Sequence, residues 1–255
     1  MTEPEIRDAY RRIHATRATI DARERELIEP ELKRREKADE SILVTPLYGH
    51  AGLLDPRQIT IPDDLQAVFQ GEGGNFVQEL SFAVKIHSDG YQAVLGGAAE
   101  DAPVYLAVLK NGLIHWSFDR ALLKESDKAQ HYDYESSSAL YRILETLVLA
   151  RLIYERAEYR GPVRVRYRLT APGSFILDRN PHGLTIHPTT ISAGTYPSGP
   201  VDACLQGGLT QIAKELLDPI FHAAGKVAAP WFDPNGNLVE EKRKGLPPGL
   251  ADHLD

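Results

Sequence analysis

Four arginines within nine residues carry the strongest chemical signal in the sequence. Arg164, Arg166 and Arg168 alternate with Val163, Val165, Tyr167 and Leu169, the period of a β-strand, so three guanidiniums line one face and apolar side chains the other. Arg160 precedes them across Gly161-Pro162. Residues two apart on a strand face lie roughly 7 Å from each other, close to the phosphate spacing of an extended nucleic-acid strand. Cations at that spacing repel one another unless anions sit among them. Those anions are either phosphates, which makes Arg160, Arg164, Arg166 and Arg168 an anion or nucleic-acid site, or carboxylates of a neighbouring strand or partner chain, which makes the row structural.

The remaining chemistry is sparse. If the arginines clamp a phosphorylated substrate, a carboxylate such as Glu155 is the natural base, and the chain is an enzyme. No GxSxG elbow, P-loop, kinase set or Rossmann glycine pattern supports that, so no catalytic residue is assigned. Gly71, Gly73 and Gly74 lack the following GK[ST] of a phosphate loop. His115 with Asp119, and His182 with His187, are the histidine groupings with any spatial prospect, and none has metal-ligand spacing. Asp233, Asn235 and Asn237 imitate the start of a calcium loop, but the glycine is misplaced and no Glu follows at the twelfth position. Gly207-Gly208 ahead of a helix offers an anion approach only weakly. No metal and no cofactor are expected.

The arginine strand follows one long helix. ESSSALYRILETLVLARLIYERAEYR has serines to cap its start and Gly161-Pro162 as a left-handed stop and breaker. Its apolar surface, from Leu140 through Ile153, leaves only a stripe through Arg142, Glu145 and Thr146 polar, so the helix is mostly buried. In its last turns Arg151 and Glu155 are spaced for an ion bridge. Ahead of it, two hairpins form a four-stranded antiparallel meander. The first turns at 87–90; the second turns at Lys110-Asn111-Gly112, where both central residues of a tight turn need positive φ. Further short strands and a second helix, Leu209 to Ala224 with Pro219 inside it, follow.

The expected fold is α+β: an antiparallel meander covered by the long helix, further strands, a second helix and an N-terminal helical arm. The expected organisation is a charged arm over 1–40, an irregular linker over 41–75, a core over 76–225 and a C-terminal tail over 226–255. In the arm, Ile6, Ile13, Ile20 and Leu27 recur every seventh residue, half of a coiled-coil seam, and imply self-association or a protein partner.

Composition bounds the rest. The 255 residues suffice for a core without staples, and the single cysteine, Cys204, excludes an intramolecular disulfide framework and suits a reducing cytoplasm. No apolar run approaches a membrane span. The net charge of −7 argues against nonspecific coating of nucleic acid. It is unevenly spread, however: residues 135–190 hold eight arginines, no lysine and five carboxylates.

Beyond these patterns, FAVKIHSDG, VLKNGLI and LYRILE…LIYERAEYRGPVRV, with Tyr159-Arg160-Gly161-Pro162-Val163 as its best piece, resemble the C-terminal region of bacterial Schlafen-like, Alba-type DNA-binding proteins over roughly residues 80–170. The resemblance implies a regulatory or binding half. The acidic-Lys signature of that family's nucleotide-associated domain does not precede it here, so the resemblance carries no nuclease or ATP-binding activity across. Together the expectation is a non-enzymatic binding or regulatory module that self-associates and contacts nucleic acid or a nucleoprotein partner. The alternatives are an enzyme acting on a phosphorylated substrate and a purely structural oligomer subunit.

Overall fold

The computed structural model describes residues 18–19, 21–22, 39–48, 52–55, 82–87, 90–95, 104–119, 131–134, 136–171, 174–177, 189–191, 194–197, 201–246 and 248–254. The protein is α+β. Strands β1 (Asp39–Pro46), β2 (Phe82–His87), β3 (Gly90–Leu95), β4 (Val104–Leu109), β5 (Ile114–Asp119), β7 (Val163–Ala171), β10 (Gly194–Pro197) and β11 (Val201–Ala203) form one antiparallel sheet. Its order is β10-β7-β1-β5-β4-β3-β2, with β11 also on β7. A smaller sheet holds β6 (His131–Tyr134), β8 (Ser174–Leu177) and β9 (Thr189–Ile191), with β6 parallel to β8. The helices are α1 (Ser136–Arg156), α2 (Leu209–Ala223), α3 (Glu240–Lys244) and α4 (Pro248–Ala251).

The meander β2-β3-β4-β5 and the covering helix match the sequence pattern. Ile42, Val44, Ile114, Trp116, Val163, Val165, Tyr167 and Leu169 are buried with Leu140, Ile143, Leu144, Leu147 and Val148 of α1 in one core. Residues 41–46, expected within an irregular linker, instead form most of an interior strand of the sheet. β1 hydrogen-bonds β5 on one side and β7 on the other, pairing Glu40 with Phe118 and Leu169, and Thr45 with Arg164. ILVT is too short a run to outweigh the flanking charge and proline by period alone, so tertiary pairing decides it.

The described residues among 226–254, expected as a tail, are not one. Ala229, Phe232, Leu246 and Leu250 are buried in the same core as α1 and α2, and Arg151 donates to the carbonyl of His253. Lys242 stacks over Trp231 with its Nζ 4.1 Å from the ring centroid. The Asp233 carboxylate accepts from the backbone N–H groups of Asn235 and Asn237 at 2.8 and 2.9 Å and from the Asn237 side chain at 3.1 Å, a turn closed on itself rather than a cation loop. Those bonds hold its carboxyl below the usual range.

Two turns differ from expectation. In the second hairpin only Gly112 has positive φ (90°), so the connection is a three-residue turn with the glycine as its left-handed member. A Cβ there would lie 2.6 Å from Pro46 Cγ. The left-handed residue ending α1 is Glu158 (φ 55°), not Gly161. The N–H groups of Glu158 and Tyr159 return to the carbonyls of Glu155 and Tyr154 at 3.0 and 2.8 Å, a Schellman closure. Gly161 is small for another reason: the Tyr159 ring folds over it to donate to the Pro162 carbonyl at 2.7 Å.

α2 runs through Pro219 with Leu209, Ile212, Ala213, Leu216, Leu217 and Ile220 buried, as the pattern requires. Of the arm, Ala18, Thr19, Asp21 and Ala22 are described and helical. Ile6, Ile13, Ile20 and Leu27 lie outside the described residues. Among the described residues no helix is long and apolar enough to cross a membrane.

Candidate functional site

β7 presents its two faces as the alternation dictates. Val163, Val165, Tyr167 and Leu169 face α1, and the arginines occupy the opposite face. That second face is not open sheet: Leu43, His115 and Ser117 are buried on it. Arg164 is almost wholly buried, with 5% of its side chain exposed, and it meets two carboxylates. Its Nε donates to Asp202 Oδ1 on β11 at 3.1 Å, and its Nη1 to Asp21 Oδ1 in the arm at 3.0 Å. Arg166, 22% exposed, donates from Nη2 to that same Asp21 oxygen at 3.1 Å. Arg168 is half-buried and Arg160 exposed.

The row is thus brought together, and carboxylates sit on Arg164 and Arg166. They come from the arm and from β11. Asp202 could have been anticipated, because a short strand VDA alternates an acid between small apolar residues. Asp21 could not, since nothing in a charged helix marks which acid meets the sheet.

A second polar centre lies on the α1 side, and none of its members was singled out as a site residue. Glu40 is fully buried. Arg142 grips it with Nε on Oε1 at 3.2 Å and Nη2 on Oε2 at 2.7 Å. Tyr167 donates to Oε1 at 2.9 Å, which leaves Tyr134 to donate to the Tyr167 oxygen, also at 2.9 Å. Burial opposes the charge on Arg142, but Glu40's charge and hydrogen bonds more than offset this and hold the guanidinium above its ordinary value. The carboxylate is gripped on both oxygens, so the group acts as a brace joining β1, β7, β6 and α1.

Glu145, one turn along α1, shares Arg142's field but not its hydrogen bonds to Glu40. Desolvation pushes its carboxyl up to about 8, with Arg142 pulling the other way. One guanidinium serves two carboxylates, and the one without its grip keeps its proton at neutral pH. The stripe Arg142, Glu145, Thr146 that the pattern leaves polar borders this centre: Thr146 is buried and donates to the Arg142 carbonyl at 2.7 Å.

The other candidates separate. Glu155 is exposed and pairs with Arg151 at 4.0 Å, the bridge its spacing predicts, so it is not aimed at the arginine row. His115 and Asp119 are four residues apart on β5, about 13 Å along the strand. His182 and His187 lie outside the described residues. Cys204 is free and exposed, and Gly208 at the head of α2 is left-handed with no side-chain cap. Among the described residues no group of three His, Cys, Asp or Glu could hold a metal ion. No protein-family model matches the chain, and no curated protein matches it either.

Proposed function

We propose that the protein is a non-enzymatic binding or regulatory module that engages nucleic acid, or a nucleoprotein partner, through the arginine face of β7. The observation that carries this reading is the convergence of Arg164 and Arg166 on one carboxylate oxygen, a built oxyanion clamp on a rigid strand. Arginine suits the task because its planar donors keep their charge and direction at every physiological pH. Self-association through Ile6, Ile13, Ile20 and Leu27 belongs to the same reading, as does a cytoplasmic setting, and both rest on the sequence pattern. The likeness to the Schlafen-like C-terminal region points the same way.

Polarisation titrations with labelled single- and double-stranded oligonucleotides at low salt test it. Wild type binds, and the pair Arg166→Gln with Arg168→Gln, which leaves the Arg164–Asp202 contact in place, binds much more weakly at unchanged melting temperature. Equal binding by both proteins would remove the arginine face from the account. Sedimentation of the full chain and of a chain lacking residues 1–38 tests the association: an oligomer should become a monomer without loss of the core.

A further inference from the structure

We propose that Asp21 is an internal stand-in for a phosphate: in the resting chain it occupies the Arg164–Arg166 clamp, and the phosphodiester backbone of a single-stranded nucleic acid displaces it. This rests on the binding reading above and adds the ligand class and the regulation of the same site.

The two carboxylates on Arg164 are not equivalent. Asp202 belongs to β11, whose backbone is paired with β7 through Val201, Asp202 and Ala203, so its main chain is fixed beside Arg164 while its side chain is 29% exposed. Asp21 belongs to a helical turn whose other described residues, Ala18, Thr19 and Ala22, are all exposed. Its own side chain is 38% exposed, so the outer edge of the clamp opens to water. The Asp21 end of the contact is reachable by water, so a second anion can approach the clamp from that side.

A phosphodiester fits the same pair of donors. Both guanidiniums share one Asp21 oxygen, at 3.0 and 3.1 Å, and a phosphodiester can set one non-bridging oxygen against each. Arg168 continues the row one strand period further on, at roughly the repeat of an extended single strand. That repeat is the one an extended single strand offers, which favours the single strand.

The test compares wild type, Asp21→Asn and Asp202→Asn, each as the full chain, for affinity to labelled oligothymidine at one fixed salt concentration. Each variant removes one formal negative charge, so bulk electrostatics alone predicts equal effects. Displacement predicts that Asp21→Asn tightens binding about tenfold, within the usual range of coupling between two sites, while Asp202→Asn does not. Hydrogen exchange of the wild type supplies a readout independent of variant folding: saturating oligothymidine should raise exchange at residues 18–22. Equal affinity of wild type and Asp21→Asn, or equal gains from both substitutions, or unchanged exchange at 18–22 on binding, overturns the stand-in while leaving the binding face intact. Absence of binding by all three proteins overturns the binding reading and the stand-in together. Poly-glutamate releasing the arm where oligothymidine does not would overturn the ligand class.

Discussion

Replacing Glu145 by Gln should stabilise the protein at neutral pH and leave it unchanged in acid. Glu145 sits half-buried on α1, one turn from an arginine already committed to Glu40, and its carboxyl titrates at about 8 rather than 4.5. Because the folded state holds this proton more tightly, the unfolded state releases it first as pH rises. Its contribution is therefore fully present below about 4.5, declines through neutrality and is lost once pH passes about 8. At 1.36 kcal/mol per pH unit the whole window amounts to at most about 5 kcal/mol, and about 3 kcal/mol of it is gone by pH 7. Glutamine keeps the shape and stays neutral throughout. Urea unfolding of both proteins from pH 4.5 to 9 should give equal stabilities at the acid end and an advantage for the variant that grows to about 2–4 kcal/mol above pH 7. The subtraction cancels every other titrating group. Parallel pH profiles for the two proteins, or a variant weaker at pH 8, would refute the raised titration of Glu145 beside an arginine committed to Glu40.

Other substitutions test the local geometry. Glu158→Gly should raise stability by about 0.5–1 kcal/mol, since it relieves a left-handed non-glycine residue; a lower melting temperature would contradict the Schellman closure. Gly161→Ala puts a Cβ 2.6 Å from the Tyr159 hydroxyl and should cost about 1–3 kcal/mol, and the same substitution should cost less in a Tyr159→Ala background, where the clash is gone. Leu144→Ala and Leu147→Ala, both fully buried residues of α1, should each cost about 2–5 kcal/mol in urea unfolding, and less than 1 kcal/mol would mean that the buried face is misassigned.

The parts of the fold legible in the sequence are those where one period dominates a long enough window. α1, α2, the meander and the alternation of β7 all meet that condition, and so does the Arg151–Glu155 bridge, which follows from helical spacing alone. β1 does not. Its partners lie some 75 and 125 residues away, and no local pattern reports a pairing that distant. With β1 misread, Glu40 stayed in a charged arm and the brace it forms with Arg142, Tyr167 and Tyr134 was out of view. The polar stripe on α1 is the side that meets this buried carboxylate, and helical spacing alone names no partner for it. The C-terminal segment was misread for the opposite reason: its many prolines, glycines and charges resemble a tail, while a few residues, Phe232, Leu246 and Leu250, anchor it. The arginine row was visible at once as a row. The identity of its anions was not, because Asp21 and Asp202 reach it from segments 143 and 38 residues away in sequence.

The salt dependence of single-strand binding addresses the arginine face most directly. Plotted as log K against log salt concentration, wild type should show a linear decline, and Arg166→Gln with Arg168→Gln should flatten it by about 0.7 per lost phosphate contact, about 1.4 in all. A wild-type protein that binds no oligonucleotide at low salt, or a variant that binds with the wild-type slope, would contradict the assignment of β7 as a phosphate-binding face.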